Sequence, residues 1–290
     1  MKPLFERVVI AGVGLIGGSL ALAGKKAGIF KTVVGLGRGK ANLDKALTLG
    51  VVDEVTTNLS LAVAGSDLFF AAVPVESVID VCLKAADGMK TGGIITDGGS
   101  VKKEIVEQLS KRLPSSVRFV GGHPVAGSEK SGSGSANAAL YKNRYTILTP
   151  TDHTDPQAVD LVRDMWKAVG SEVVAMGPDE HDKTMAMISH LPHFAAYALV
   201  DATVKADSAG SMRRFVAGGF RDTTRIAGSD PEMWRDIFSM NKERLMESIN
   251  LFEGSLSELK EMVEQDNFDG LKARLEEIRS TRLKMDDHCE

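Results

Sequence analysis

The stretch Val8-Val9-Ile10-Ala11-Gly12-Val13-Gly14-Leu15-Ile16-Gly17-Gly18-Ser19 decides the fold. Its first four residues are apolar without alternation, as in a strand covered on both faces, and the following residues spell G-x-G-x-x-G. Gly12 permits a tight turn, Gly14 lets backbone approach a pyrophosphate with no Cβ in the way, and Gly17 lets the next helix pack closely on the sheet. The helix start then offers unpaired N–H groups and a partial positive charge to phosphates. Gly12, Gly14, Leu15, Ile16 and Gly17 are therefore candidate dinucleotide-binding residues, a purely structural glycine turn being the alternative.

Outward from this turn, apolar runs at 7–11, 32–35, 67–73, 93–97, 117–121, 145–148 and 172–175 read as buried parallel strands. Helical spacing at 19–26, 40–49 and 102–112 falls between them. This β-α-β alternation implies an α/β fold, a Rossmann-type, doubly wound and mostly parallel sheet. The character changes at Met176-Gly177-Pro178-Asp179, after which 179–189, 193–208, 231–251, 255–264 and 270–284 all read as helices. We expect a dinucleotide-binding domain over residues 1–176 and an all-helical domain over 177–290. Leu256, Leu259 and Val263, then Leu271, Leu275 and Ile278, form one apolar stripe on each of the last two helices. That pattern suits a homodimer core in the helical domain, the alternative being that the stripes close the chain's own core.

Composition narrows the function. With 35 Lys+Arg against 39 Asp+Glu the formal net charge is −4, and no cluster of cations exists to release counterions from a nucleic acid. No apolar run approaches the roughly 20 residues of a membrane span. The start, Met1-Lys2-Pro3-Leu4-Phe5, runs straight into a strand and lacks a secretory leader's apolar region. Cys82 and Cys289 stand far apart outside any ligand spacing, so a reduced, cytoplasmic chain without a structural metal is expected.

The second strand ends Val34-Gly35-Leu36-Gly37-Arg38-Gly39-Lys40. Where an NAD enzyme often carries an acid for the ribose 2′-hydroxyl stands Gly37, and Arg38 and Lys40 could meet a 2′-phosphate. The loop tilts toward NADP over NAD, unless Arg38 merely stacks on adenine. Later strand ends carry Val73-Pro74, then Asp97-Gly98-Gly99-Ser100-Val101-Lys102, then Gly121-Gly122-His123-Pro124. Ligands bind at that edge of an open sheet, so Val73, Pro74, Ser100 and His123 are expected to share one crevice. In the helical part, Ser189-His190-Leu191-Pro192-His193 places two histidines where Pro192 is expected to end one helix and begin another. No third ligand accompanies this pair, so metal is not expected. Arg225, in Phe220-Arg221-Asp222-Thr223-Thr224-Arg225, is a surface ion-pair residue unless burial makes it an anion clamp.

Taken together, Gly12 to Ser19, Asp97 to Lys102, the run Gly121-Gly-His-Pro-Val-Ala-Gly-Ser-Glu-Lys-Ser-Gly132, Ser189 to His193, the 218–227 stretch and the 229–236 stretch resemble the prephenate/arogenate dehydrogenases of tyrosine biosynthesis. The resemblance runs through nearly the whole chain, in order. It implies that His123 accepts the proton or hydrogen bond of the substrate's ring hydroxyl and that Ser100 orients it beside the nicotinamide. It further implies that Ser189 and His193 bind substrate, that Arg225 pairs with a substrate carboxylate, and that Glu129 lies at the mouth of the site. The implied reaction sends hydride to the nicotinamide while a base takes the hydroxyl proton and carbon dioxide leaves, so that the ring becomes aromatic. A histidine near its ordinary pKa of ~6.5 suits that proton transfer.

The resemblance leaves prephenate and arogenate open as substrates, with prephenate favoured. Because the strand begins near residue 7 and the chain ends at 290, we expect a monofunctional enzyme in which any tyrosine inhibition acts at the active site. Two other readings compete. A β-hydroxyacid dehydrogenase or imine reductase would carry a signature around a helix lysine, yet Lys183 stands alone in its helix. A non-enzymatic NAD(P) sensor would not need the His123/Ser100 and His193/Arg225 sets.

Overall fold

The computed structural model describes residues 2–126, 132–207 and 210–286. Six strands, β1 (Phe5–Ala11), β2 (Phe30–Leu36), β3 (Glu54–Thr56), β4 (Leu68–Ala71), β5 (Gly93–Asp97) and β6 (Val117–Val120), form one parallel sheet in the order β3-β2-β1-β4-β5-β6. The order reverses beside β1, so the glycine turn lies at the switch point where such sheets hold ligands. Alternate residues of each strand enter different cores. Val8, Ile10, Leu68 and Phe70 pack with Leu20 of α1 (Leu15–Lys26) and with Val162 and Trp166 of a later helix. Val9, Ala11, Phe69 and Ile95 instead pack with Val78, Cys82, Ile105 and Leu109 from helices on the opposite face. Burial on both faces is why these strands read as continuous apolar runs.

Two expectations about the strands need correction. Residues 145–148 and 172–175 do form strands, but they belong to a separate three-stranded sheet. There β7 (Gly122–Pro124) is antiparallel to β8 (Tyr145–Leu148), which runs parallel to β9 (Glu172–Ala175). Of β9 only Val173 is half-buried and the other three residues are exposed, so β9 is not a buried strand. His123 thus sits within β7, opposite Ile147, rather than in a loop after the sixth strand. The short β3 lacks an apolar run, and nothing in its sequence announces it.

The remaining helices, in chain order, are α2 (Lys40–Thr48), α3 (Leu59–Val63), α4 (Val75–Ala86), α5 (Lys103–Arg112), α6 (Pro156–Ala168), α7 (Pro178–Met185), α8 (Leu191–Ala206), α9 (Gly218–Thr224), α10 (Pro231–Met240), α11 (Lys242–Glu264) and α12 (Phe268–Asp286). Pro192 does not separate two helices as expected. A π-helical turn, Ala186–His190, joins α7 directly to α8. Its wider hydrogen-bond spacing accommodates a proline that supplies no N–H. The run 231–251 breaks at Asn241, between α10 and α11. By compactness the chain separates into one unit up to Lys242 and another from Glu243 onward. In the second unit Leu256, Val263, Leu275 and Ile278 are all exposed. Among the described residues no helix is long and apolar enough to cross a membrane.

Gly12 has φ +92°, and a Cβ there would lie 2.2 Å from the Ala72 carbonyl oxygen. Backbone cannot retreat as a flexible side chain can. Gly12→Ala is therefore expected to destabilise the protein by more than about 1 kcal/mol, read as a lowered melting temperature. An unchanged melt would show that the turn is not held this way.

Candidate active site

The glycine turn is held from three sides. Gly12 N–H donates to the Leu36 carbonyl at 2.8 Å, the Asn42 side-chain amide donates to the Val13 carbonyl at 2.8 Å, and the Tyr141 hydroxyl donates to the Ile16 carbonyl at 2.6 Å. The first contact uses the loop's Gly12 amide, and the other two use its Val13 and Ile16 carbonyls. No side chain caps α1, no acid occupies its first turn, and a Cβ on Gly14 would meet nothing within 4 Å. Gly17 is different, because its Cβ would fall 2.2 Å from the Gly12 carbonyl. An uncapped helix start behind an open backbone surface fits a pyrophosphate. Arg38 and Lys40 are exposed beside it, and Gly37 has room for a side chain against Leu43.

At the next strand end a buried ion pair organises the crevice. Asp97, at the end of β5, accepts hydrogen bonds from Gly99 N–H at 2.9 Å, from Gly122 N–H at 3.1 Å and from the Lys102 ammonium. Neither side chain of this pair is exposed, and Lys102 Nζ also donates to the Gly122 carbonyl at 3.0 Å. The pair ties the GGSVK loop to the first residue of β7. Ser100, half-buried, lies inside the loop so held, and His123 follows one residue after the anchored Gly122.

His123 Nδ1 lies 2.8 Å from His181 Nε2, and His181 Nδ1 lies 2.8 Å from Asp182 Oδ1. Asp182 also accepts the Lys102 and Lys103 N–H groups, at 2.7 and 2.9 Å, so both of its oxygens act as acceptors at the start of α5. The direction of the chain follows. A carboxylate only accepts, so His181 Nδ1 carries the proton and its Nε2, when neutral, accepts from His123 Nδ1. His123 is left with Nε2 as a lone-pair nitrogen. Burial first, then His181, Lys102 and His190, hold the His123 pKa well below its ordinary value. The sequence-based expectation of a value near ~6.5 is therefore corrected.

The second histidine pair completes the site. Asn241 donates one amide hydrogen to the Asp182 carbonyl at 2.8 Å and another to His190 Nδ1 at 3.1 Å, which fixes His190 as a neutral acceptor at Nδ1. Burial, against the pull of Asp182, brings the His190 pKa down to about 4. His193 Nδ1 donates to the Ser189 carbonyl at 2.9 Å, and its ring stacks on Trp234 with centroids 3.7 Å apart. Its pKa is lowered by burial, with the nearby Arg225 charge acting in the same direction. Arg225 is exposed, so it does not meet the burial criterion for an anion clamp, although its charge reaches His193.

The structure thus joins His123 to His181, Asp182, Asn241, His190, Trp234 and His193 in one network. Val73 and Pro74 stand at the end of β4 and the start of α4. Glu129 lies outside the described residues. The sequence reading does not single out His181, Asp182, Asn241 or Trp234 as functional, and it assigns no role to Asp97 or Lys102. Asp97 and Lys102 fall inside the quoted strand-end motif. His181 and Asp182 had no spacing signal.

A dinucleotide cradle beside a histidine-rich crevice is the anatomy of a nicotinamide-dependent dehydrogenase. Family models agree: residues 20–175 match the nucleotide-binding domain of prephenate dehydrogenase and residues 177–277 match its dimerization domain. The chain is 38% identical to the prephenate dehydrogenase of Bacillus subtilis over 93% of its own length and 74% of that protein's. It is 34% identical to the cyclohexadienyl dehydrogenase of Zymomonas mobilis, covering 97% of each. The crystal structure of Aquifex aeolicus prephenate dehydrogenase with hydroxyphenyl propionate and NAD+ superposes with a TM-score of 0.91 at 37% identity, covering 97% of this chain and 98% of that one. The chain belongs to the prephenate dehydrogenase family and is an NAD(P)-dependent oxidoreductase.

Four histidines of this site have folded-state pKa values below their ordinary 6.5. The unfolded chain therefore binds more protons between 6.5 and the lowered values, so stability is complete above 6.5 and is lost as pH falls. His190 alone contributes about 3 kcal/mol to this loss by about pH 4. Melting temperature is expected to decline from pH 6.5 to about 4, and less steeply in His190→Gln. A melting temperature that rises on acidification through this window would contradict the assignment.

Proposed function

We propose that the chain catalyses the oxidative decarboxylation of prephenate to 4-hydroxyphenylpyruvate and carbon dioxide in tyrosine biosynthesis. The observation that carries this reading is the forced order of the His123–His181–Asp182 hydrogen bonds in a chain of this family. It leaves His123 Nε2 as a base for the ring hydroxyl. A bound nicotinamide would accept the hydride. The chain's own residues do the rest. The 12–17 turn binds the pyrophosphate, Ser100 orients the hydroxyl, and Ser189, His193, Arg225 and Glu129 hold the substrate. Because His123 is kept neutral by burial, it can take a proton across the physiological range.

Residues 1–176 serve the cofactor and 177–290 the substrate and the dimer, supported by the change of matching family model between residues 175 and 177. The homodimer forms through the C-terminal helices, supported by their exposed leucine, valine and isoleucine side chains. Tyrosine, sharing the product's hydroxyphenyl ring, inhibits by competing at the active site. Arogenate is the alternative substrate, supported by the 34% identity to a cyclohexadienyl dehydrogenase and by a TM-score of 0.82 at 29% identity to Synechocystis arogenate dehydrogenase, covering 96% of this chain and 99% of that one.

A spectrophotometric assay crossing prephenate and arogenate with NAD and NADP tests the function; no reduced cofactor in any combination refutes it. In the productive combination, His123→Asn is expected to lower kcat by about 10²- to 10⁴-fold, with Arg225→Ala raising KM by about ten- to hundredfold. The reverse pattern would overturn this division of roles. The absence of an acid at Gly37, beside exposed Arg38 and Lys40, favours NADP. Gly37→Asp, which the backbone can accept, is expected to raise the preference for NAD at least about tenfold. An unmoved ratio would show that this loop does not select the cofactor.

A further inference from the structure

We propose that His181 and Asp182 are positioning residues for His123, and that the proton His123 takes from substrate leaves its charge on His181, against the Asp182 carboxylate. The second half of this statement rests on the function proposed above. The first half concerns the protein without substrate.

Two consecutive 2.8 Å contacts link His123 to His181 and His181 to Asp182. Asp182 is buried and receives three N–H donors, from Lys102, Lys103 and His181, so its position and its acceptor role are both fixed. A fixed acceptor at one end sets the proton on each nitrogen along the chain. In the resting state His181 bears its proton on Nδ1 and His123 bears its proton on Nδ1. His123 cannot turn its N–H toward the substrate without losing the bond to His181. The ring planes are twisted by 69° and the centroids are 5.1 Å apart, a separation that places the two nitrogens, 2.8 Å apart, between the rings and facing each other.

The proton count closes. A substrate O–H bond breaks as an N–H bond forms at His123 Nε2. The His123 Nδ1–H bond then breaks as an N–H bond forms at His181 Nε2. His123 ends neutral, protonated on Nε2, and His181 becomes an imidazolium whose Nδ1–H still donates to Asp182. Release of the proton reverses these transfers, through His123 Nε2 to solvent, once product has gone. Beyond the hydride transfer already ascribed to the nicotinamide, no oxidant or reductant is required.

The surroundings favour the cation on the inner histidine. Among the described residues the groups facing the pair are Asp97 at the end of β5, Lys102 immediately before α5, Asp182 on α7 and His190 on the π turn. Lys102 opposes a cation on either ring. Among the described residues only His181 has a carboxylate in contact, which raises its pKa against burial, whereas the groups acting on His123 lower it. A buried cation with a hydrogen-bonded carboxylate costs less than one without.

Nitrogen-15 NMR of the full-length enzyme carrying labelled histidine tests this directly, with resonances assigned through His123→Asn and His181→Gln. Both rings are expected as Nδ1–H tautomers near neutral pH. On acidification His181 is expected to take the charge first, while His123 changes from the Nδ1–H to the Nε2–H tautomer. Resting His123 protonated on Nε2, or charging of His123 before His181, would overturn the proposal.

Kinetics supply a second reading. His181→Gln keeps a carbonyl acceptor for His123 Nδ1–H but offers no nitrogen that can take its proton. We expect kcat to fall at least about tenfold, KM and cofactor affinity to stay within about twofold, and the acid limb of kcat to move to lower pH. An unchanged kcat, or a loss confined to KM, would count against the relay. Should His181→Gln fail to fold, the wild-type titration decides, with assignment through His123→Asn. If wild-type enzyme oxidises neither prephenate nor arogenate, the proposed function fails while the tautomer result still stands or falls by itself.

Discussion

Lys102 and Asp97 meet with no exposure to water, and the architecture of the crevice follows from where that contact lies. Removing two charges from water costs several kcal/mol each, which is recovered only when the remaining hydrogen-bonding capacity is filled. Here it is filled from the backbone. Asp97 also takes the Gly99 and Gly122 amides, and Lys102 also reaches the Gly122 carbonyl. The parallel sheet and the second sheet are joined at this point. The backbone amide of the same lysine is held by Asp182, so α7 is joined there too. Substituting one partner would leave a buried charge and loosen three elements together.

The histidines depend on this clamp through position and through charge. His123 is adjacent to the anchored Gly122, and His181 is adjacent to Asp182, so the clamp sets how their rings meet. The Lys102 ammonium then opposes protonation of both rings. Neutral imidazoles buried in a crevice can act as acceptors of fixed direction. Their direction comes from groups that are unable to reverse roles: a carboxylate at His181, a backbone carbonyl at His193, and an amide oriented by a second carbonyl at His190.

Much of the fold is legible because its signals are local. Residues 8–19 carry strand, turn and helix within one short stretch, and β1, β2, β4 and β5 are apolar because both faces are covered. The short β3 is hidden for the opposite reason, since its residues are exposed or half-exposed. Membership of β8 and β9 in a second sheet depends on pairing with β7, and pairing partners far apart in the chain leave no local mark. Pro192 reads as a helix break by the local rule, and only the π turn before it removes the conflict. Among site residues, His123, Ser100, Ser189, His193 and Arg225 stand in recognisable motifs. His181 is 58 positions from His123, and nothing in its own neighbourhood indicates that the two rings touch.

The sequence by itself determined the strand–glycine turn–helix unit, the alternation that builds a doubly wound sheet, and the motifs that place the chain in its family. Those properties follow from backbone sterics and hydrophobic periodicity, which act over a few residues. Tertiary structure alone decided which histidines are neutral and which nitrogen of each carries the proton. Both depend on loss of solvent and on a hydrogen-bond partner brought from elsewhere in the chain. Asp182 can direct His123 only because Lys102, Lys103 and His181 converge on one carboxylate.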